Sequence, residues 1–90
     1  MTREQIVEAI EIYGIGEEGG VLLADGLDGA LIGFTDDGRA VYSRELCADI
    51  MVEQGMEPDE AWEYLEFNTF CAYVGPNTPL YIHTPRWENE

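Results

Sequence analysis

The chain has 90 residues, of which 19 are acidic and 4 basic, for a formal net charge of −15. An apolar fraction of 46% with 11% aromatics is enough for one domain with a real core and argues against a disordered segment. A charge magnitude of about 2–8 suffices for solubility in a small domain. The excess here works against compactness by self-repulsion and makes nucleic acid and anionic membranes poor partners, while basic proteins and cations suit it.

All four basic residues are arginine, and lysine is absent. A high-salt cytoplasm favours acidic, lysine-free proteins, and a GC-rich genome replaces lysine by arginine; either origin accounts for part of the charge without a function. No stretch has the length of a membrane span. Near the start, Arg3 is followed by Glu4, Glu8 and Glu11 rather than by an apolar run, so no signal peptide is expected and a cytoplasmic location is.

Thr2 and Gln5 fit a capping box for a first helix whose apolar positions are Ile6, Val7, Ile10 and Tyr13, closed by Gly14. Residues Ile15 to Gly20 read as a flexible loop. The short run Val21 to Ala24 suits strand or helix equally. Asp25-Gly26 and Asp28-Gly29 are turn signals that also suit a single helical turn around Leu27. Ala30 to Thr35 and Ala40 to Ser43 read as strands joined by the turn Asp36-Asp37-Gly38-Arg39.

Ser43 suits the N-cap of a second helix running to Gln54, with Gly55 as its stop. Leu46, Cys47, Ile50 and Met51 form its apolar stripe. The stretch Glu57 to Gly75 reads as the central helix. Pro58 stands where no N–H is needed, Asp59 and Glu60 complement the positive helix end, and Met56 with Ala61 has the spacing of a staple. Ala61, Tyr64, Leu65, Cys71 and Ala72 fall on one side, with Asn68 as the polar residue among them. Phe70 to Val74 is apolar nearly all round and is expected to be enclosed. Leu80 to His83 reads as a third strand with Leu80 and Ile82 inward, and residues 85–90 as a tail in which Trp87 seeks a surface. The expected product is one α+β domain over residues 1–84, with three helices on one face of a small, mostly antiparallel, three-stranded sheet.

The blocks DGLDGALIG (Asp25 to Gly33) and EAWEYLEFNTFCAYVGPNTP (Glu60 to Pro79) carry a resemblance. They are similar to a family of small phage, archaeal-virus and prokaryotic proteins with a DG-x-D/E-x-A-x-x-G segment and a helix reading E-Y-F-x-F-N-x-x-x-A-Y-x-G-x-x-T-P. The matching positions are Glu63, Tyr64, Phe67, Asn68, Ala72, Tyr73, Gly75, Thr78 and Pro79. The resemblance implies a virus-type accessory protein and implies nothing about catalysis.

Three acidic rows repeat at helical spacing: Glu4, Glu8 and Glu11; Glu45, Asp49 and Glu53; Asp59, Glu63 and Glu66. A four-residue helical step is about 6 Å, so each row is a ladder of charges able to resemble a phosphate backbone to a protein built to bind one. Helices also place charges on wet faces for no other reason. The second and third rows are the candidate partner surface, and a basic nucleic-acid-binding host or defence protein is the candidate target. Tyr64, Asn68 and Tyr73 form an alternative small-ligand or nucleotide pocket, with Asn68 expected to be buried and satisfied by a nearby loop. A third possibility is an aromatic outer sheet face of Tyr42 or Val41, Tyr81, His83 and Trp87, serving a protein contact or a homodimer.

Metal and catalytic chemistry find little support. The aspartates lack the EF-hand spacing, the two cysteines and one histidine lack zinc spacing, and Gly14-Ile15-Gly16 is followed by phosphate-repelling glutamates. Cys47 and Cys71 both fall on expected core faces, as two reduced thiols or, alternatively, as a disulfide between the helices. Cys71 would face away from His83, so a Cys–His pair is not expected. The reading is a non-enzymatic protein without metal or cofactor.

Overall fold

The computed structural model describes residues 2–14 and 21–85. The loop expected over Ile15–Gly20, Trp87 and the rest of the tail lie outside the described residues. Helix α1 (Arg3–Tyr13) is followed by strands β1 (Leu31–Phe34) and β2 (Ala40–Ser43), then by helices α2 (Arg44–Glu53) and α3 (Pro58–Leu65). A π-helical turn over Glu66–Phe70 extends α3, and strand β3 (Leu80–Ile82) follows it. The fold is α+β, built on a three-stranded sheet of order β1-β2-β3. β1 and β2 form the expected antiparallel hairpin, while β3 runs parallel to β2, so the sheet is mixed. The parallel pairing is possible because the long connection between Ser43 and Leu80, two helices and the irregular stretch after Phe70, serves as the crossover that parallel strands need.

The helix ends are set by local chemistry. Gln5 N–H donates to Thr2 Oγ1 at 3.1 Å, Thr2 N–H donates to Gln5 Oε1 at 2.8 Å, and Gly14 closes α1 with φ of 67°. Ser43 Oγ accepts the Leu46 N–H at 3.1 Å to start α2. Glu57 N–H donates to Glu60 Oε1 at 3.1 Å ahead of Pro58. In the hairpin, Thr35 N–H reaches Arg39 O at 2.8 Å and Gly38 adopts φ of 83°.

Residues 21–24 form no regular element. They are held by Ala24 N–H donating to Tyr42 Oη at 2.8 Å, and Asp28–Ala30 forms a short 3₁₀ turn. The core gathers Ile6 and Ile10 of α1, Leu31 of β1, Ala40 and Tyr42 of β2, Cys47 and Met51 of α2, and Ala61 and Leu65 of α3. Tyr42 is fully buried, so it is no part of an exposed aromatic sheet face.

Strand β3 also departs from its expected phase. The parallel register sets Tyr81 beside Tyr42, on the face that the helices cover. The two rings stack at 5.4 Å, and Phe70 meets Tyr81 at 5.1 Å. Ile82, expected inward, is exposed as a consequence. A one-residue change of phase exchanges the two faces of a strand, and the partner strand's register decided it.

The central helix differs most. It runs regularly only to Leu65, and the π turn then inserts an extra residue before the helix ends at Cys71. The residues expected to be enclosed beyond it are open: Cys71, Ala72, Tyr73 and Val74 are all exposed. Gly75 (φ 116°) is no helix cap. It belongs to a turn organised by Thr78, whose hydroxyl donates to Gly75 O at 2.6 Å and accepts the Val74 N–H at 2.9 Å. No helix among the described residues is long and apolar enough to cross a membrane.

Candidate functional site

The acidic residues of the three rows have different fates. Glu4, Glu8 and Glu11 of α1 are exposed, as are Glu53 at the end of α2 and Asp59, Glu63 and Glu66 on α3 and the π turn. Asp49 is half-buried on α2. Glu45 is not a free charge. Its carboxylate accepts from Thr84 N–H at 2.6 Å and lies 2.8 Å from His83 Nδ1, tying the start of α2 to the chain leaving β3. Partial burial works against its charged form, but the bonds from His83 and Thr84 prevail and hold the carboxyl down at about 2. His83, expected on an open face, stacks on Trp62 of α3 with 6.1 Å between ring centres.

The three arginines among the described residues are equally committed. Arg3 pairs with Asp28 at 2.9 Å and with Asp25 at 3.0 Å. Arg39 Nε donates to Thr78 O at 2.7 Å. Arg44 Nε donates to Tyr81 O at 2.9 Å while its guanidinium lies 4.8 Å from the Phe70 ring centre. Arg3 thus neutralises carboxylates at Asp25 and Asp28. Among the described residues no cation pairs with the α3 row.

The chemistry concentrates along α3 and the π turn. A cleft of about 490 Å³ is bordered by Asp59, Glu60, Glu63, Tyr64, Phe67 and Asn68, with Met56 at its start. Two of its aromatics are in water: Tyr64 is 45% and Phe67 81% exposed. Asn68 is exposed too, which corrects the expectation of a buried amide. Its Nδ2 donates to Tyr64 O at 3.0 Å, the carbonyl that the backbone N–H of Asn68 would reach in a regular α-helix. The side chain thus caps the widened turn.

A second cleft of about 470 Å³ continues from Asn68 past Thr69 and Ala72 toward Leu22, Leu27 and Val74. Asn68 and Tyr64 therefore do sit beside cavities. Tyr73, 78% exposed, borders neither of these two clefts.

Phe67 and Glu60 are the residues that sequence reasoning passed over. Both phenylalanines lie in the π turn, yet Phe70 is half-buried against Tyr81 and Phe67 is exposed. The only signal was the excess of apolar residues over what one helix face can bury.

Cys47 is buried, and burial pushes its thiol up to about 11; Cys71 is exposed, against expectation, and both are free. Among the described residues no group of three or more His, Cys, Asp or Glu side chains is arranged to hold a metal. Such an arrangement of carboxylates and water-facing rings can attract an ammonium or guanidinium group and hold it by charge and by ring face together. Comparison with protein-family models, with curated proteins and with solved structures gives no match for this chain.

Proposed function

We propose that this is a non-enzymatic binding protein that engages a basic partner through α3 and the π turn, and that in doing so it occupies a nucleic-acid-binding surface of that partner. The observation that carries the reading is the juxtaposition of Asp59, Glu60 and Glu63 with the water-exposed rings of Tyr64 and Phe67 in one cleft. Carboxylates alone are common on wet helix faces. Exposed aromatics among them are not explained by solubility, and both features suit arginine-rich and lysine-rich surfaces. The rest of the acidic excess supplies long-range attraction and speeds encounter. An accessory protein of the virus type, acting as an inhibitor in a host cytoplasm, is the setting in which such mimicry is useful.

Affinity capture from cell lysate at low and at high salt, with nucleic acid as competitor, tests the reading. Captured proteins are expected to be basic nucleic-acid binders, released by salt and displaced by DNA or RNA. Capture of a non-basic partner, or of one that DNA and RNA leave in place, overturns it.

A second reading, favoured by the position of Asn68 between two clefts, is a small-ligand module using Tyr64 and Asn68. The carboxylates of the first cleft repel phosphate, so such a ligand is a neutral or cationic molecule rather than a nucleotide.

A further inference from the structure

We infer that the recognised part of the partner is a short amphipathic basic segment, with a cationic side chain in the first cleft and an apolar side chain in the second. The inference rests on the basic-partner reading and adds an apolar half to it.

Three features of the surface support this. The clefts adjoin: Asn68 borders both, with Glu60 and Tyr64 on the side of the first and Ala72 on the side of the second. Their chemistry differs. The first is lined by Asp59, Glu60 and Glu63, none of which forms an ion pair among the described residues, beside Tyr64 and Phe67. The second is walled by Leu22, Leu27, Ala72, Val74 and Pro79, and its single carboxylate, Asp25, is neutralised by Arg3 at 3.0 Å. Both are open to solvent rather than enclosed, which suits side chains presented by a segment lying across them.

The occupant is positively charged because charge complementarity requires it. A second copy of this chain would bring another −15 to the same face. Adjoining clefts of about 490 and 470 Å³ each span on the order of 10 Å, so their centres lie about that far apart, which an extended segment covers in about three to four residues. A cation and an apolar anchor at about that separation are therefore the expected signature.

Selection from a random peptide library displayed on a carrier, at physiological salt, followed by anisotropy titration of the selected peptides, tests the inference. The expected result is enrichment of Arg or Lys together with Leu, Ile, Val or Phe at a fixed separation of about three to four residues. Phe67→Ser and Val74→Asp change exposed residues and should leave the fold intact, and each is expected to weaken binding about tenfold or more.

Peptides enriched in cations alone, and indifferent to Val74→Asp, overturn the inference while leaving the basic-partner reading in place. Apolar peptides without cations, whose binding ignores salt, overturn both. Absence of any enrichment, or self-association of the protein through these clefts, overturns the inference as well.

Discussion

On α2 the acidic row begins with Glu45, which is half-buried, bonded to His83 and Thr84, and holds the end of β3 against the helix. On α3 the corresponding row of Asp59, Glu63 and Glu66 faces water, and two of its members border a cleft with Tyr64 and Phe67. The helices pack against each other and carry carboxylates at similar spacing. One row contributes a structural bond and the other presents an unneutralised surface. Equal spacing in sequence therefore does not mean equal role: the difference arises from what packs beside each helix, a strand end for α2 and solvent for α3.

The largest test of this contrast is within α3 and its extension. Leu65→Ala removes a fully buried side chain and should destabilise the protein by about 2–5 kcal/mol. Phe67→Ala, two residues on, should change stability by about 0.5 kcal/mol or less while abolishing capture of the basic partner. Denaturant unfolding of both variants, beside the capture assay, reads the contrast directly; equal destabilisation would show that Phe67 belongs to the core after all.

Glu45→Gln gives the next largest effect. It leaves His83 and Thr84 a weaker acceptor and should cost about 1 kcal/mol. The native carboxyl titrates at about 2, below its ordinary value of 4.5. The stabilisation it provides is thus present above pH 4.5 and lost as pH falls from there through about 2. Thermal unfolding followed across that window should show a steeper loss for the parent than for Glu45→Gln, and parallel profiles would remove Glu45 from the structural role.

The smallest effect needs no mutation. A thiol reagent near neutral pH should modify Cys71 at once and Cys47 only after unfolding, since Cys47 is buried and its thiol is raised to about 11. One equivalent of fast reaction, rising to two in denaturant, is the expected count; two fast equivalents would mean that α2 opens readily.

Much of the fold was legible because its signals are local. The Thr2–Gln5 box, the Ser43 cap, Pro58 at the start of α3 and the Asp36-Asp37-Gly38-Arg39 turn each act through bonds within a few residues. What was illegible depends on non-local choices. The phase of β3 is set by its parallel partner, which no residue of Leu80–Ile82 announces. The π turn inserts one residue, and at 100° per residue everything after it rotates away from the expected face. That rotation is why Cys71 and Ala72, on the apolar side by helical spacing, are exposed. At the candidate site, Asp59 and Glu63 were legible from helical spacing. Their aromatic neighbours were not, because an apolar residue in sequence is read as buried until the structure shows otherwise.

Arg39 and Arg44 direct their Nε donors to the backbone carbonyls of Thr78 and Tyr81. A carbonyl is a dipole and keeps no net charge to cancel, so these two bonds neutralise no carboxylate. Carboxylates without an ion pair, Asp59, Glu60 and Glu63 among them, draw their counter-ions from solution. A partner that arrives with its own fixed positive charges sets those ions free. The entropy of that release becomes part of the driving force for association.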